Sequence, residues 1–312
     1  MQPFASLNAS KANFDDIYLQ DDPRGYFSVL GALDYIIPDV AAPIIRQILT
    51  ARKRRYDSSP TVLDIGCSYG INAAVHRYPL SFRRLRRRYA NADMAALGAD
   101  DLARLDRNYY AGWPETGIAR FIGLDVSAPA VRYGVSVGLL EEGIVANLES
   151  SAPAPRDIDR IRRADVILST GCVGYVTERT FRAVLGAMDR APWVVSFVLR
   201  MFPYDVIAKE FARHGLVTER LAGATFVQRR FRDVQEFTQC LATLEKLGIE
   251  TAGLESEGRF QAELFVSRPR EDAQAAPLGE IVKVVSGRNR TVGTRFVRVG
   301  RGEHTRVLRA PS

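Results

Sequence analysis

Thr61-Val62-Leu63-Asp64-Ile65-Gly66-Cys67-Ser68-Tyr69-Gly70 is the stretch from which the rest of the chain can be read. Its first half, Thr61 to Ile65, is apolar and β-branched and is closed by Gly66, the pattern of a strand buried on both faces of a parallel sheet. Ile71 to Arg77 then has the character of a helix opening. Between them, Gly66 and Gly70 permit tight turns and close backbone approach, and the helix start offers unpaired N–H groups. Such a loop can hold an anionic or polar ligand.

Moving outward, the strand and helix signals alternate. Arg120 to Asp125 reads as a second strand, followed by Ser127-Ala128-Pro129, where Ser127 caps and Pro129 starts a helix running to about Leu140. Gly143 to Asn147 gives a third strand and Asp165 to Thr170 a fourth. Thr177 is placed to cap a helix from Glu178 to Asp189, and Trp193 to Leu199 supplies a fifth strand. This rhythm predicts an α/β fold, in which ligands sit beyond the carboxyl ends of the strands. Asp125 falls at such an end, where a carboxylate can accept both hydroxyls of a ribose. Taken singly, the glycines could merely turn the chain and Asp125 could cap the next helix. Their conjunction points to a nucleoside-containing cofactor.

With these residues in place, the segment from Thr61 to Ser267 resembles the class I S-adenosylmethionine-dependent methyltransferase superfamily. The family's acidic-x-Gly-x-Gly-x-Gly pattern is met by Asp64, Gly66 and Gly70, with Ser68 in place of the middle glycine. The resemblance implies a Rossmann-like, seven-stranded, mostly parallel sheet with an antiparallel last strand and helices on both faces. It implies S-adenosylmethionine as cofactor, held by Asp64, Gly66, Cys67, Ser68 and Gly70, by Asp125 and Val126, by Asn147 and Leu148 near the adenine, and by Ser169 and Thr170 near the methyl group. A nicotinamide-binding Rossmann enzyme is the rival fold, but its Gly-x-Gly-x-x-Gly spacing is not met by Gly66, Ser68 and Ile71.

The flanking sequence divides into a helical cap over residues 1–56, a methyltransferase domain over 57–268 with insertions at about 79–116 and 202–233, and a basic extension over 269–312. The cap carries breaks at Asp21-Asp22-Pro23 and Pro38, and the first insertion reads as one or two extra helices. A helix from Tyr204 to His214 opens the second insertion, which lies over the sheet. Val234 to Leu247 is helical in period, Gly248 to Gly258 with Phe260 to Ser267 reads as a closing hairpin, and Pro269 to Pro277 reads as a linker. Aromatic residues of the covering segments, Tyr26, Tyr35, Tyr175 and Phe202, are candidates for a substrate pocket.

The 312 residues are 46% hydrophobic, enough for a full core, and the longest apolar run falls short of a membrane span, so a cytoplasmic protein is expected. Three scattered cysteines, Cys67, Cys172 and Cys240, do not make a disulfide framework or a zinc site, and no metal is expected. Methyl transfer needs alignment more than a base. Among the histidines His76, His214 and His304, His214 at the end of a helix is the weak candidate for one. A net charge of +7, with basic clusters at Arg52 to Arg55, Arg83 to Arg88, Arg229 to Arg232 and Lys283 to Arg309, keeps an RNA or protein acceptor open. The absence of an Asn-Pro-Pro-Tyr or Asp-Pro-Pro-Tyr motif after the fourth strand disfavours the amino-methylating DNA and glutamine enzymes. The two covering insertions and the lack of a recognisable RNA-binding module favour a small-molecule acceptor, and a cofactor-binding scaffold without turnover is the third reading.

Overall fold

The computed structural model describes residues 15–284, together with 287–288, 295–299 and 306–309. Three helices come first, α1 (Asp15–Tyr18), α2 (Arg24–Ala32) and α3 (Ile37–Tyr56). Pro38 lies in the first turn of α3, where its missing N–H costs nothing, so it starts that helix instead of interrupting one. Strand β1 (Thr61–Ile65) leads into α4 (Ile71–Arg77), and the first insertion forms α5 (Phe82–Tyr89), α6 (Ala92–Ala95) and α7 (Ala99–Ala111). The alternation continues through β2 (Arg120–Asp125), α8 (Ala128–Ser136), β3 (Glu142–Val145), α9 (Pro155–Arg162), β4 (Val166–Thr170), α10 (Glu178–Gly186), β5 (Trp193–Leu199) and α11 (Asp205–Arg213). Ser127 caps α8 by accepting the Ala130 amide hydrogen, as its position in the sequence predicts.

Two strands, β6 (Leu216–Arg220) and β7 (Thr225–Arg230), follow, then α12 (Val234–Lys246) and the long strand β8 (Arg259–Pro269). The chain closes with α13 (Arg270–Ala275), α14 (Leu278–Ile281) and the short strands β9 (Gly287–Arg288), β10 (Arg295–Val299) and β11 (Arg306–Arg309). β3, β2, β1, β4 and β5 are parallel neighbours in that order, and β8 lies antiparallel beside β5. β6 and β7 both run along the far side of β8, antiparallel to it, β6 against its carboxyl half and β7 against its amino half. The Leu221 amide donates to the Leu264 carbonyl between them, so the two strands occupy one position in the sheet. This is the class I methyltransferase order. A dinucleotide-binding Rossmann sheet would continue with a parallel strand beside β5.

The sixth strand position is therefore filled by residues 216–230, within the segment read as a covering insertion, and not by the predicted hairpin arm Gly248 to Gly258. That arm is a turn and a single 3₁₀ helix, Glu255–Glu257. Gly248, Gly253 and Gly258 all have positive φ there, and Glu255 is buried against Arg200 at 2.7 Å, so the backbone turns repeatedly instead of extending. Nor are residues 269–277 a free linker. Asp272 of α13 is buried and accepts from Arg55 Nε at 2.7 Å, Tyr56 Oη at 2.6 Å and Trp193 Nε1 at 2.7 Å, which fastens the chain to the end of α3 and the start of β5. The first insertion forms three helices, held by Asp106, whose carboxylate accepts from Arg88, Tyr89 and Tyr133. Among the described residues no single helix is long and apolar enough to cross a membrane.

Candidate functional site

The carboxyl ends of β1, β2, β3 and β4 open into a cavity of about 780 Å³, covered from the other side by the N-terminal helices. Its floor is the loop after β1. Gly66 has φ +70°, and a Cβ there would stand 2.7 Å from Cys172 Cβ, so the residue is confined to glycine by conformation and by contact. Ser68 also has positive φ, +50°, and its buried hydroxyl has no hydrogen-bond partner among the described residues. The position where the resembled family has its middle glycine is thus one whose backbone favours glycine.

Asp125 holds this loop from the neighbouring strand. One carboxylate oxygen accepts the Ser68 amide hydrogen at 2.8 Å and the other accepts the Ser127 amide hydrogen at 3.0 Å. Burial pushes its pKa up, while the backbone N–H groups of Ser127, Ser68 and Val126 work against that shift. Behind the floor, Asp64 is fully buried in the middle of the sheet. Its Oδ1 accepts from Asn72 Nδ2 at 2.8 Å, the same nitrogen donates to Thr170 Oγ1 at 2.9 Å, and Oδ2 has no partner among the described residues. Burial pushes the Asp64 carboxyl up to about 7.

The loop after β3 forms a second wall. Asn147, Leu148 and Glu149 line the cavity with Val126 and Ser127. Glu149 reaches across to the start of α10, where it accepts the Thr177 amide hydrogen at 2.8 Å and the Thr177 and Thr180 hydroxyl hydrogens at 2.7 and 2.6 Å. It caps that helix from outside, a contact between loops that local spacing does not announce. Gly171 and Cys172, after β4, complete this side.

The cover is sewn to the two cofactor-type loops. Tyr69, buried in the loop after β1, donates its hydroxyl hydrogen to the carbonyls of Ile17 and Gln20, both at 2.8 Å. Ser127 Oγ donates to the Tyr18 carbonyl. On the far side, the Ile36 amide donates to the Gln228 carbonyl at 2.8 Å and the Arg230 amide to the Leu33 carbonyl at 2.8 Å, which ties the turn between α2 and α3 to β7. Tyr18, Tyr26, Leu30, Tyr35 and Tyr175 thereby face the cavity with Gln228 and Arg229. Arg229 is buried and paired through both terminal nitrogens with Glu236, at 2.7 and 2.8 Å.

Of the residues singled out in the sequence, Gly66, Cys67, Ser68, Asp125, Val126, Asn147, Leu148, Thr170, Tyr26, Tyr35 and Tyr175 line this one cavity. Asp64, Gly70 and Ser169 stand behind its wall, Gly70 as the N-cap of α4 with φ +80° and Ser169 fully buried against Cys172 Sγ at 3.0 Å. Phe202 is buried in the core away from it. His214 terminates α11, with Nε2 3.6 Å from Glu210 Oε1, where the helix end and the carboxylate account for it, and it does not line the cavity. His76 is buried in the core against Phe121, and His304 lies outside the described residues.

No family model matches the chain, and no curated protein matches it. Solved structures do. The plantazolicin methyltransferase BpumL, in complex with SAH, aligns over 86% of this chain and 98% of its own at 11% identity and a TM-score of 0.41. A TehB-like SAM-dependent methyltransferase from Corynebacterium glutamicum aligns over 70% of this chain and 86% of its own, at 14% identity and a TM-score of 0.34. The precorrin-6y C5,15-methyltransferase from Geobacter metallireducens aligns over 71% of this chain and 87% of its own, at 11% identity and a TM-score of 0.36. At such distances the geometry of the cavity has to carry the functional reading.

Proposed function

We propose that this chain is an S-adenosylmethionine-dependent methyltransferase whose acceptor is a small molecule. The observation that carries the reading is the tie between Asp125 and the Ser68 amide, which sets a carboxylate at the end of β2 beside a glycine loop at the end of β1, in a sheet whose strand beside β5 is antiparallel. The donor set fits an adenosine-bearing group. Asp125 presents its free lone pairs to ribose hydroxyls, Leu148 and Val126 offer apolar surface to a purine, and the floor of Gly66 and Ser68 lets a ligand approach main-chain atoms. When bound, the cofactor supplies an electrophilic methyl group on a sulfonium. The chain's own part is to align and enclose.

The lining residues support alignment without a base. Among the described residues no histidine lines the cavity, Glu149 is engaged by Thr177 and Thr180, and burial holds the Tyr35 phenol well above its usual range. An acceptor that brings its own unprotonated nucleophile suits this site. A small acceptor is supported by the cover of α1 and α2 and by the aromatic lining. Among the described residues of the basic clusters, only Arg229 lines the cavity, and Glu236 neutralises it there. Calorimetric titration with S-adenosylhomocysteine and with a nicotinamide dinucleotide tests the cofactor, the expected outcome being saturable binding of the first alone. Supplying labelled methyl donor to separated metabolite, RNA and protein fractions tests the acceptor. Label confined to RNA or protein would overturn the small-molecule reading.

A further inference from the structure

The cavity above occupies the carboxyl ends of the strands, and a second recess, of about 480 Å³, lies at the opposite ends. Thr61 begins β1, Arg120 begins β2 and Asp165 immediately precedes β4. Around them stand Arg52 and Tyr56 from the last turns of α3, Arg162 and Arg163 from the end of α9, and Arg190 from the turn before β5. Five arginines thus face a recess whose only lining carboxylates among the described residues are Asp165 and Glu141.

Arginines at helix ends are favoured by the helix dipole, and three of these have ordinary surface partners. Arg162 lies 3.5 Å from Asp189, Arg163 pairs with Glu142, and Arg190 lies 3.8 Å from Asp165. Two of the five are not explained in this way. Arg120 starts a strand, donates to Thr61 Oγ1 at 3.0 Å, and forms no ion pair with a carboxylate among the described residues. Arg52 is 6% exposed, its guanidinium carbon lies 3.7 Å from the Tyr56 ring centroid, and only Nη2 is used among the described residues, on Asp165 at 2.9 Å. Its Nε and Nη1 are buried without an acceptor among the described residues. A buried guanidinium with idle donors is costly unless a ligand or partner makes use of the charge it holds in place.

We infer that this recess binds a small phosphate-bearing anion, at a site separate from the cofactor cavity. Guanidinium forks match the paired oxygens of a phosphate, and Arg120 and Arg163 project from different elements onto the same space. The recess has room for more than one phosphate group, which favours a diphosphate or an organic phosphate over a lone ion.

The test is calorimetric titration of the full chain with inorganic pyrophosphate, repeated with a short single-stranded RNA, because a nucleic-acid backbone offers the same chemistry. Arg52 also pairs with Asp165, and its replacement would cost stability, so the test rests on Arg120→Ala and Arg163→Ala, with Arg84→Ala and Arg87→Ala on α5 as controls. The expected result is saturable pyrophosphate binding that weakens by about tenfold or more in the first pair and stays within about twofold in the second. S-adenosylhomocysteine binding should be unchanged in all four variants. The inference is overturned by the absence of saturable pyrophosphate binding, by equal losses in both pairs, or by RNA binding that depends on Arg120 and Arg163 when pyrophosphate does not bind.

Discussion

Asp125 and Ser68 are joined across two strand ends by a 2.8 Å hydrogen bond, the carboxylate accepting the loop amide. Asp125 thus has a double task, to shape the floor of the cavity and to present acceptors to a ligand above it. Asp125→Ala removes both, and S-adenosylhomocysteine affinity should fall by roughly 1.5 to 3 kcal/mol, or about 10-fold to 150-fold. Asp125→Asn keeps one acceptor oxygen but turns an NH₂ group toward an amide hydrogen, so it should lose nearly as much. Calorimetry on the purified variants checks this, and unchanged affinity in Asp125→Ala would remove the residue from the site.

Gly66 and Cys172 approach each other so closely that a Cβ on Gly66 would stand 2.7 Å from Cys172 Cβ and 3.1 Å from its sulfur. Gly66→Ala meets that clash and the strain of φ +70° together, and should cost roughly 2 to 4 kcal/mol. Cys172→Gly removes the clash but leaves the strain. The double variant should therefore recover part of the loss, as read from urea unfolding of the two single variants and the pair. Independent, additive effects would show that the two residues do not press on one another.

Ser68 pays for a left-handed backbone that glycine adopts freely, and its hydroxyl is buried without a partner among the described residues. Ser68→Gly should raise the unfolding free energy of the cofactor-free protein by roughly 1 kcal/mol, the relief of strain outweighing the extra freedom of an unfolded glycine. Thermal unfolding monitored by circular dichroism measures it. A lowered midpoint would mean that the serine side chain stabilises the loop through a contact that outweighs the strain.

These three residues show what a sequence can carry. Gly66, Ser68 and Asp125 sit at strand ends, and strand ends follow from short apolar runs, which local pattern records well. Residues that meet only through the fold leave no such trace. Glu149 caps a helix whose N-cap, Thr177, stands 28 residues later along the chain, and Gln228 and Arg229 reach the cavity only because β7 pairs with the amino half of β8. Thr225 to Arg230 mixes polar and apolar residues although all but Arg230 are buried between β8 and β11, so its pattern does not announce a buried strand, whereas Gly248 to Gly258 lies beside β8 in sequence, which makes it the apparent partner. Its three left-handed glycines were the available signal. His214 illustrates the opposite error, a residue of suitable chemistry whose helix end and neighbouring Glu210 explain it fully.

Asp64 gives the prediction that separates folding from binding. Burial pushes its carboxyl up to about 7, the Asn72 hydrogen bond pulling the other way and the nearby Asp125 charge adding to the rise. In the unfolded chain the same group titrates near about 3.9. Between those two values the unfolded chain has released a proton that the folded chain keeps, so this group's contribution is fully present below about pH 4 and is lost as pH rises toward 7. The slope cannot exceed about 1.4 kcal/mol per pH unit, since one proton is involved. Asp64→Asn has nearly the same shape and no proton to lose. The stability of the wild-type protein relative to this variant should therefore decline from about pH 5 to 7 and level off above, in urea unfolding without cofactor. A difference that stays flat across that interval would mean that Asp64 is ionised throughout, and that its idle Oδ2 has a partner the fold alone does not supply.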